Sequence, residues 1–253
     1  MNDTAADWRD RLNGDPLPWL LDGEEPAVRH RALRELLDRP SDDPEVVEAR
    51  RAAMATPPIA TILAEQDPEG WWVTPGAGYV PKYRSTVWSL MFLDQMGADG
   101  SDPRIRAACE YVLAHTQAPS GGFASMGGAQ RPTDGSVIHC LNGNLLSALI
   151  GFGWLDDERV QRAVAWQAAS ITGEGMTKYS GTTRGPGFQC GINEGLPCGW
   201  GAVKAVLALA RVPVASRTPA VARALEAGVE FLLSVDPATA MYPMGWGNTE
   251  PSE

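Results

Sequence analysis

The sequence has 253 residues, of which 44% are hydrophobic and 21% charged, so it is long and apolar enough to bury a substantial core. Its formal net charge of −10 disfavours nucleic acid and anionic membrane surfaces as partners. No stretch has the apolar length needed to span a bilayer, and the amino-terminal residues lack the apolar core of a secretion signal. With four cysteines and no such signal, we expect a cytoplasmic protein whose thiols stay free or bind metal.

The pattern of apolar residues predicts helices along most of the chain. Residues 15–66 read as two helical stretches, and three copies of a longer repeat follow at 85–123, 143–177 and 199–235. In each copy the first helix is apolar almost all round, whereas the second has apolar residues at helical spacing with charges between them. The repeating unit is therefore an inner helix followed by an outer helix.

The junctions between these helices carry capping residues. Asp102 precedes Pro103, Asp157 begins another outer helix, and Thr218 precedes Pro219, as expected at a helix start. We therefore predict an all-α chain of helical hairpins that forms a single domain over residues 1–253. Residues 1–14 and 242–253 are expected to be less ordered.

Two loops share the pattern Q-x-x-x-G-x-aromatic at equivalent points of the repeat. Gln66, Gly70 and Trp72 form one copy, and Gln117, Gly121 and Phe123 form the other. These copies resemble the QW repeats of the squalene cyclases, which also recur in protein prenyltransferases. A glutamine can bond backbone groups at a helix end, and the glycine permits the turn on which the aromatic ring packs. The motif indicates a fold and not a reaction.

The resemblance covers about residues 50–235 and extends to segments of poorly characterised bacterial squalene-cyclase-like proteins. It implies an α/α toroid in which inner helices surround an apolar cavity for a small hydrophobic molecule such as an isoprenoid. A closed ring of six hairpins needs roughly 300 residues or more. The sequence supplies four or five hairpins, which leaves an open or partial barrel, a shortened chain and half of an assembly as alternatives.

The acidic motifs of terpene cyclases are missing from the sequence. It contains neither the D-x-D-D motif that protonates an alkene or epoxide nor the D-D-x-x-D motif that binds magnesium diphosphate. Asp42–Asp43 and Asp156–Asp157 are the nearest pairs, and capping explains both. Whether the chain is an enzyme therefore stays open at this point.

Three cysteines lie where the starts of two inner helices are expected. Cys140 opens one inner helix, and Cys190 and Cys198 lie in and beside the loop that leads into the next. If these starts meet at one rim of the cavity, the three thiols could bind zinc and leave one coordination position free. The alternative is that they are small buried apolar residues, as free cysteines often are.

Other candidates surround the same rim. Asp134 and His139 are the candidate catalytic groups, although Asp134 beside Gly135 is also a typical turn residue. The candidates for substrate binding are four aromatic residues and one cation, namely Trp72, Tyr83, Arg84, Trp88 and Trp200.

The leading hypothesis is a squalene-cyclase-like or prenyltransferase-like enzyme that binds a hydrophobic molecule, with a zinc-thiolate site formed by Cys140, Cys190 and Cys198. The alternative is a non-catalytic helical repeat scaffold that binds a protein or a lipid. The sequence leaves a homo-oligomer open.

Overall fold

A computed structural model describes residues 8–126, 131–176, 178–236 and 238–243 of the chain. These residues form helices and isolated β-bridges and contain no strand, so the all-α prediction is confirmed. The predicted less ordered ends, 1–14 and 242–253, fall largely outside them. Every described helix is too short or too polar to cross a lipid bilayer. The α-helices are α1 Leu17–Leu20, α2 Pro26–Glu35, α3 Pro44–Ala55, α4 Ile59–Ala64, α5 Thr86–Gln95, α6 Pro103–His115, α7 His139–Gly151, α8 Glu158–Thr172, α9 Gly199–Ala210 and α10 Pro219–Leu232.

The chain groups into two compact units. Unit 1 is Met1–Ala64 with Gln95–Asp99, and unit 2 is Glu65–Asp94 with Gly100–Glu253. In unit 1, helix α2 packs on α3 around a small core of Leu33, Val46 and Ala49. The single-domain organisation stays a prediction, and each unit is described by itself.

Unit 2 contains α6–α10 and nearly all of α5, and within it α7 packs on α8 and α9 packs on α10, as predicted for two of the three hairpins. Helix α7 has no charged residue and buries most of its length, as expected of an inner helix. It packs closely on α9, because a side chain on Gly143 would lie 2.6 Å from the backbone oxygen of Lys204. The outer helices α8 and α10 pack on each other and on these inner helices.

The predicted caps are confirmed at each outer helix. Side-chain oxygens of Asp102 and Asp157 accept hydrogen bonds from the backbone N–H two residues later, at 2.9 and 2.8 Å. Thr218 accepts one from the N–H of Val221 at 3.3 Å. Each cap satisfies an N–H group that the first turn of a helix leaves unpaired. The carboxylates at these junctions therefore have a structural role.

The two glutamine-glycine motifs make equivalent contacts. Gln66 Nε2 donates to the carbonyl oxygen of Arg104 at 2.9 Å, and Gln117 Nε2 donates to that of Arg159 at 2.7 Å. Both acceptors are the second residue of the following outer helix, so each glutamine binds the loop before an inner helix to the outer helix that follows it.

The glycine and the aromatic residue complete each motif in the same way. Gly70 and Gly121 have φ values of +96° and +98°, and each lies against a backbone carbonyl of the outer helix that leaves no room for a Cβ. The aromatic residues are fully buried, and their backbone N–H groups donate to side chains of inner helices: Trp72 to Thr86 and Phe123 to Asn142, both at 3.0 Å. Each motif thus holds its loop against the inner helix and the outer helix that follow it.

An ion pair joins the carboxyl ends of the three inner helices. Arg211 follows α9, and its Nη1 donates to both carboxylate oxygens of Asp94 in α5 at 2.8 Å. The same nitrogen donates to the carbonyl oxygen of Ser147 in α7 at 2.7 Å. Gly151 lacks the side chain that would collide with both charged groups. The amino ends of α5, α7 and α9 consequently lie at the opposite rim of unit 2.

Candidate functional site

Two adjoining pockets lie where the inner helices begin. The thiol pocket, of about 270 Å³, is lined by residues that include Cys140, Cys190, Cys198, Trp200 and Gly201. The aromatic pocket, of about 340 Å³, includes Tyr83, Trp88, Met91, Trp200 and Lys204. Both are lined by Tyr79, Lys82, Cys140 and Trp200. These shared residues make the two pockets neighbouring parts of one site.

A short hairpin brings two of the cysteines together. The N–H of Cys190 donates to the carbonyl oxygen of Leu196 at 3.2 Å, and that of Cys198 donates to the carbonyl oxygen of Phe188 at 3.0 Å. Cys198 is also the N-cap of α9, since its sulfur accepts a hydrogen bond from the N–H of Gly201 at 3.3 Å. The predicted meeting of Cys140, Cys190 and Cys198 at one rim is therefore observed.

The thiols of this pocket differ in acidity. The hydrogen bond from the Cys198 thiol holds the pKa of Cys190 well below its ordinary value, and the N–H groups of Asn193 and Ile192 add to this effect. The same thiol bond, together with burial, raises the pKa of Cys198. Burial raises the pKa of Cys140. Cys190 is therefore the more acidic thiol of the hydrogen-bonded Cys190–Cys198 pair.

The donor set for zinc is incomplete in this geometry. Among the described residues, no three His, Cys, Asp or Glu side chains stand in an arrangement that could hold a metal ion, although three thiols line one pocket. The thiols of Cys190 and Cys198 are instead hydrogen-bonded to each other. Zinc at this rim stays a prediction, and no chemical step below depends on it.

Thiol reactivity and metal content can be measured together. At pH 7 we expect iodoacetamide to alkylate Cys190 about tenfold faster than Cys140, because only the thiolate reacts and the pKa of Cys190 is lowered. Mass spectrometry of the peptides gives both rates, with the buried Cys109 as the internal control for unfolding. Equal rates at the two sites would contradict the prediction. One zinc per chain that must be chelated before any of the three reacts would instead support the zinc hypothesis.

A chain of amides orients the buried ring of His139. The N–H of Phe123 donates to Asn142 Oδ1, and Asn142 Nδ2 donates to Gln167 Oε1 at 2.8 Å. Gln167 Nε2 and the Ser170 hydroxyl each lie 3.3 Å from His139 Nδ1, and this orientation of Gln167 favours Nδ1 as the acceptor on the neutral ring. Burial lowers the pKa of His139 to about 4. In that tautomer Nε2 carries the proton and can donate a hydrogen bond.

His139 is the only one of the two candidate catalytic groups at this rim of the described structure. It lines the thiol pocket, and its Nε2 has no partner among the described residues. Asp134 lines a different, open cleft, and its Oδ1 accepts a hydrogen bond from the N–H of Ser120 at 2.8 Å. That contact fits the turn role that the sequence left open for Asp134.

Of the five candidate substrate-binding residues, three line the thiol or aromatic pocket and two do not. Tyr83 and Trp88 line the aromatic pocket, and Trp200 lines both pockets. Trp72 is 2% exposed in the core, and Arg84 is exposed; neither lines these pockets. The aromatic position of the repeat motif thus serves packing, and two Trp side chains outside that motif reach the site.

Sequence reasoning missed Lys204. It lies on the inner helix α9, its Nζ is 4.3 Å from the ring centroid of Trp200, and burial lowers its pKa. A lone lysine within an apolar helix was the available signal, because an inner helix has few solvated positions for a cation.

Two larger clefts occupy other parts of the surface of unit 2. One, of about 750 Å³, is lined by Asp134 and Arg162 among others, and the second, of about 740 Å³, by Tyr111 and His115. Both are open grooves, and neither contains a cysteine. The thiol and aromatic pockets, where buried apolar, thiol and cationic groups converge, are the better candidate site.

No protein-family model, curated protein or solved structure matches this chain.

Proposed function

We propose that this chain binds a small hydrophobic molecule of isoprenoid size in the connected thiol and aromatic pockets. The observation that supports this most is the convergence of Trp88, Trp200, Tyr79 and Met91 at one rim, around space of about 270 and 340 Å³. Ligand pockets typically have volumes of roughly 300–1,000 Å³ and mainly apolar walls with few polar groups. A linear hydrocarbon chain fits such a space better than a polar metabolite does.

We further propose that the chain is an enzyme related to the squalene cyclases and prenyltransferases, and the repeat contacts support the fold that this proposal requires. In that proposal, the hairpins α5–α6, α7–α8 and α9–α10 are successive units of a partial α/α toroid, and the two pockets are the rim of its cavity. The equivalent contacts of the two glutamine-glycine motifs support it, because a toroid repeats one junction between neighbouring units. The reaction stays open between cyclisation and transfer.

The chain supplies two groups that suit such chemistry. Cys190 offers a thiolate, and His139 Nε2 offers a buried hydrogen-bond donor that an oxygen atom of a ligand would satisfy. An unpaired buried donor costs about 1–3 kcal/mol, so its pairing would favour a ligand with an oxygen acceptor. Apolar walls would exclude water from both groups.

Trp200 provides the test of this proposal. We expect Trp200→Ala to weaken the binding of farnesol about tenfold, close to 1.4 kcal/mol, because the indole contributes to the walls of both pockets. Isothermal titration calorimetry measures the change. Trp200 is 67% exposed, so its removal should leave the fold intact.

The matched control is Trp19→Ala, since Trp19 is 77% exposed and lines neither pocket. Equal affinities in the two variants would exclude these pockets as the binding site. A wild-type chain that binds no farnesol at all would favour the helical repeat scaffold instead.

A further inference from the structure

The candidate site has the opposite charge to the rest of the protein. The chain has 31 acidic residues against 21 basic ones, and only three of the basic ones are lysines. Lys82 and Lys204 both line the aromatic pocket, whereas Lys178 lines a separate cleft. In the described part of the chain, no Asp or Glu lines either the thiol or the aromatic pocket. A net positive site in an acidic protein indicates an anionic ligand group.

Neither pocket lysine forms an ion pair with a carboxylate in the part of the chain that the structure describes. Several arginines of the described chain form ion pairs with carboxylates, as Arg159 does with Glu110 at 2.6 Å and Arg211 with Asp94 at 2.8 Å. Lys82 and Lys204, by contrast, have no carboxylate within 4 Å among the described residues. Their contacts are with aromatic rings, since the Nζ atoms lie 5.8 Å from the Tyr79 centroid and 4.3 Å from the Trp200 centroid.

Lys204 is the stronger indication of an anionic ligand, because it is half-buried. An exposed lysine such as Lys82 needs no partner, since water solvates its charge. Lys204 gives up part of its hydration on an otherwise apolar inner helix, and one cation–π contact offsets about 0.5–2 kcal/mol of that cost. A ligand anion at this position would recover more.

The position of the two lysines decides where the anion lies. Lys204 lines the aromatic pocket and not the thiol pocket, whereas Lys82 lines both. An anion that contacts both cations therefore lies in the aromatic pocket, beside Lys82 and Lys204. The apolar residues Ile138 and Ile192 line the thiol pocket and suit a hydrocarbon chain.

We propose that the ligand is an amphiphile whose anionic oxygen group, a carboxylate or a phosphate, is held between Lys82 and Lys204 while its apolar chain extends into the thiol pocket. This inference rests on the proposed function and narrows the class of ligand. Asn144, which also lines the aromatic pocket, is placed to donate a further hydrogen bond to the anionic group.

Three probes with one hydrocarbon chain test the proposal: farnesol, farnesoic acid and farnesyl monophosphate. For the wild-type chain, calorimetry should show at least one anionic probe binding about tenfold tighter than farnesol, because a hydrogen bond to a charged group contributes about 1.5–3 kcal/mol. The acid and the monophosphate distinguish a carboxylate from a phosphate ligand. The preference should weaken in high salt.

The variants Lys82→Met and Lys204→Met keep the length of the side chain and remove its charge. Together they should abolish the preference for the anionic probes and leave the affinity for farnesol unchanged. Lys178→Met is the matched control and should keep the preference.

The outcomes separate the two proposals. If farnesol binds as tightly as both anionic probes, or if the preference survives in the double variant, the anionic class is wrong and the hydrophobic site stands. If none of the three probes binds, the proposed function itself is wrong and this inference is lost with it.

Discussion

Replacing Gly143 with leucine is expected to destabilise unit 2 by about 3 kcal/mol and to abolish ligand binding at the same time. Even a single Cβ at this position would lie 2.6 Å from the carbonyl carbon and oxygen of Lys204 and 2.7 Å from the nitrogen of Ala205. These are backbone atoms of α9, so they cannot move aside as a flexible side chain would. Helices α7 and α9 would have to separate.

That separation would displace the pocket residues on α9. Trp200 and Lys204 both lie on this helix, opposite Cys140 on α7, so loss of the close packing widens the site and misplaces its cation. Urea denaturation measures the loss of stability, and calorimetry measures binding. The control is Ala210→Leu, which adds the same side chain at an exposed position of α9. Wild-type stability in Gly143→Leu would show that the two helices are not in close contact.

The hairpins were predictable because local signals specify them. Asp102, Asp157 and Thr218 cap the outer helices as their positions indicated, and Ile105 and Cys109 are buried while Arg104 and Glu110 are exposed, as the spacing required. Such features depend on residues within one turn of each other. The same holds for the glycines of the repeat motif, whose conformation excludes other residues.

The composition of the site was predictable only in part, since it depends on how helices are placed against one another. The meeting of Cys140, Cys190 and Cys198 followed from the repeat, because equivalent inner helices begin at one rim. The place of Lys204 did not follow, since nothing local shows which face of α9 lines a pocket. Trp72 illustrates the opposite error: an aromatic residue near a predicted rim proved to be part of the core.

The chain of amides that orients His139 could not be predicted from the sequence, because it also depends on how the helices pack. Phe123, Asn142 and Gln167 come from a loop and two helices, and only their packing shows that each amide has one possible orientation. Amide side chains are common on helices, and most face water. Asn142 and Gln167 are fully buried, at 0% exposure, so their amide groups need hydrogen-bond partners within the protein.

Replacing Asp94 with alanine is expected to destabilise unit 2 by about 3 kcal/mol, because it leaves the Arg211 guanidinium at the junction of three helices without its carboxylate. Asp94 is 9% exposed, so water replaces little of its interaction. Urea denaturation at neutral pH measures the change. Asp156→Ala is the control, since Asp156 is exposed and near the start of an outer helix.

A double variant distinguishes the cost of leaving the Arg211 charge unpaired from the cost of losing the packing of the Asp94 side chain. If the unpaired guanidinium is the main cost, Asp94→Leu combined with Arg211→Met should regain most of the lost stability, because apolar side chains of similar volume often replace a buried ion pair without penalty. The double variant should then be more stable than Asp94→Leu alone, and a double-mutant cycle with the single variants Asp94→Leu and Arg211→Met expresses this difference as coupling between the two positions. Additive losses would mean that the pair does not join α5, α7 and α9 in solution. The amino-end rim of these helices would then need another support, since the same three helices position Trp88, Cys140 and Lys204 in the aromatic pocket.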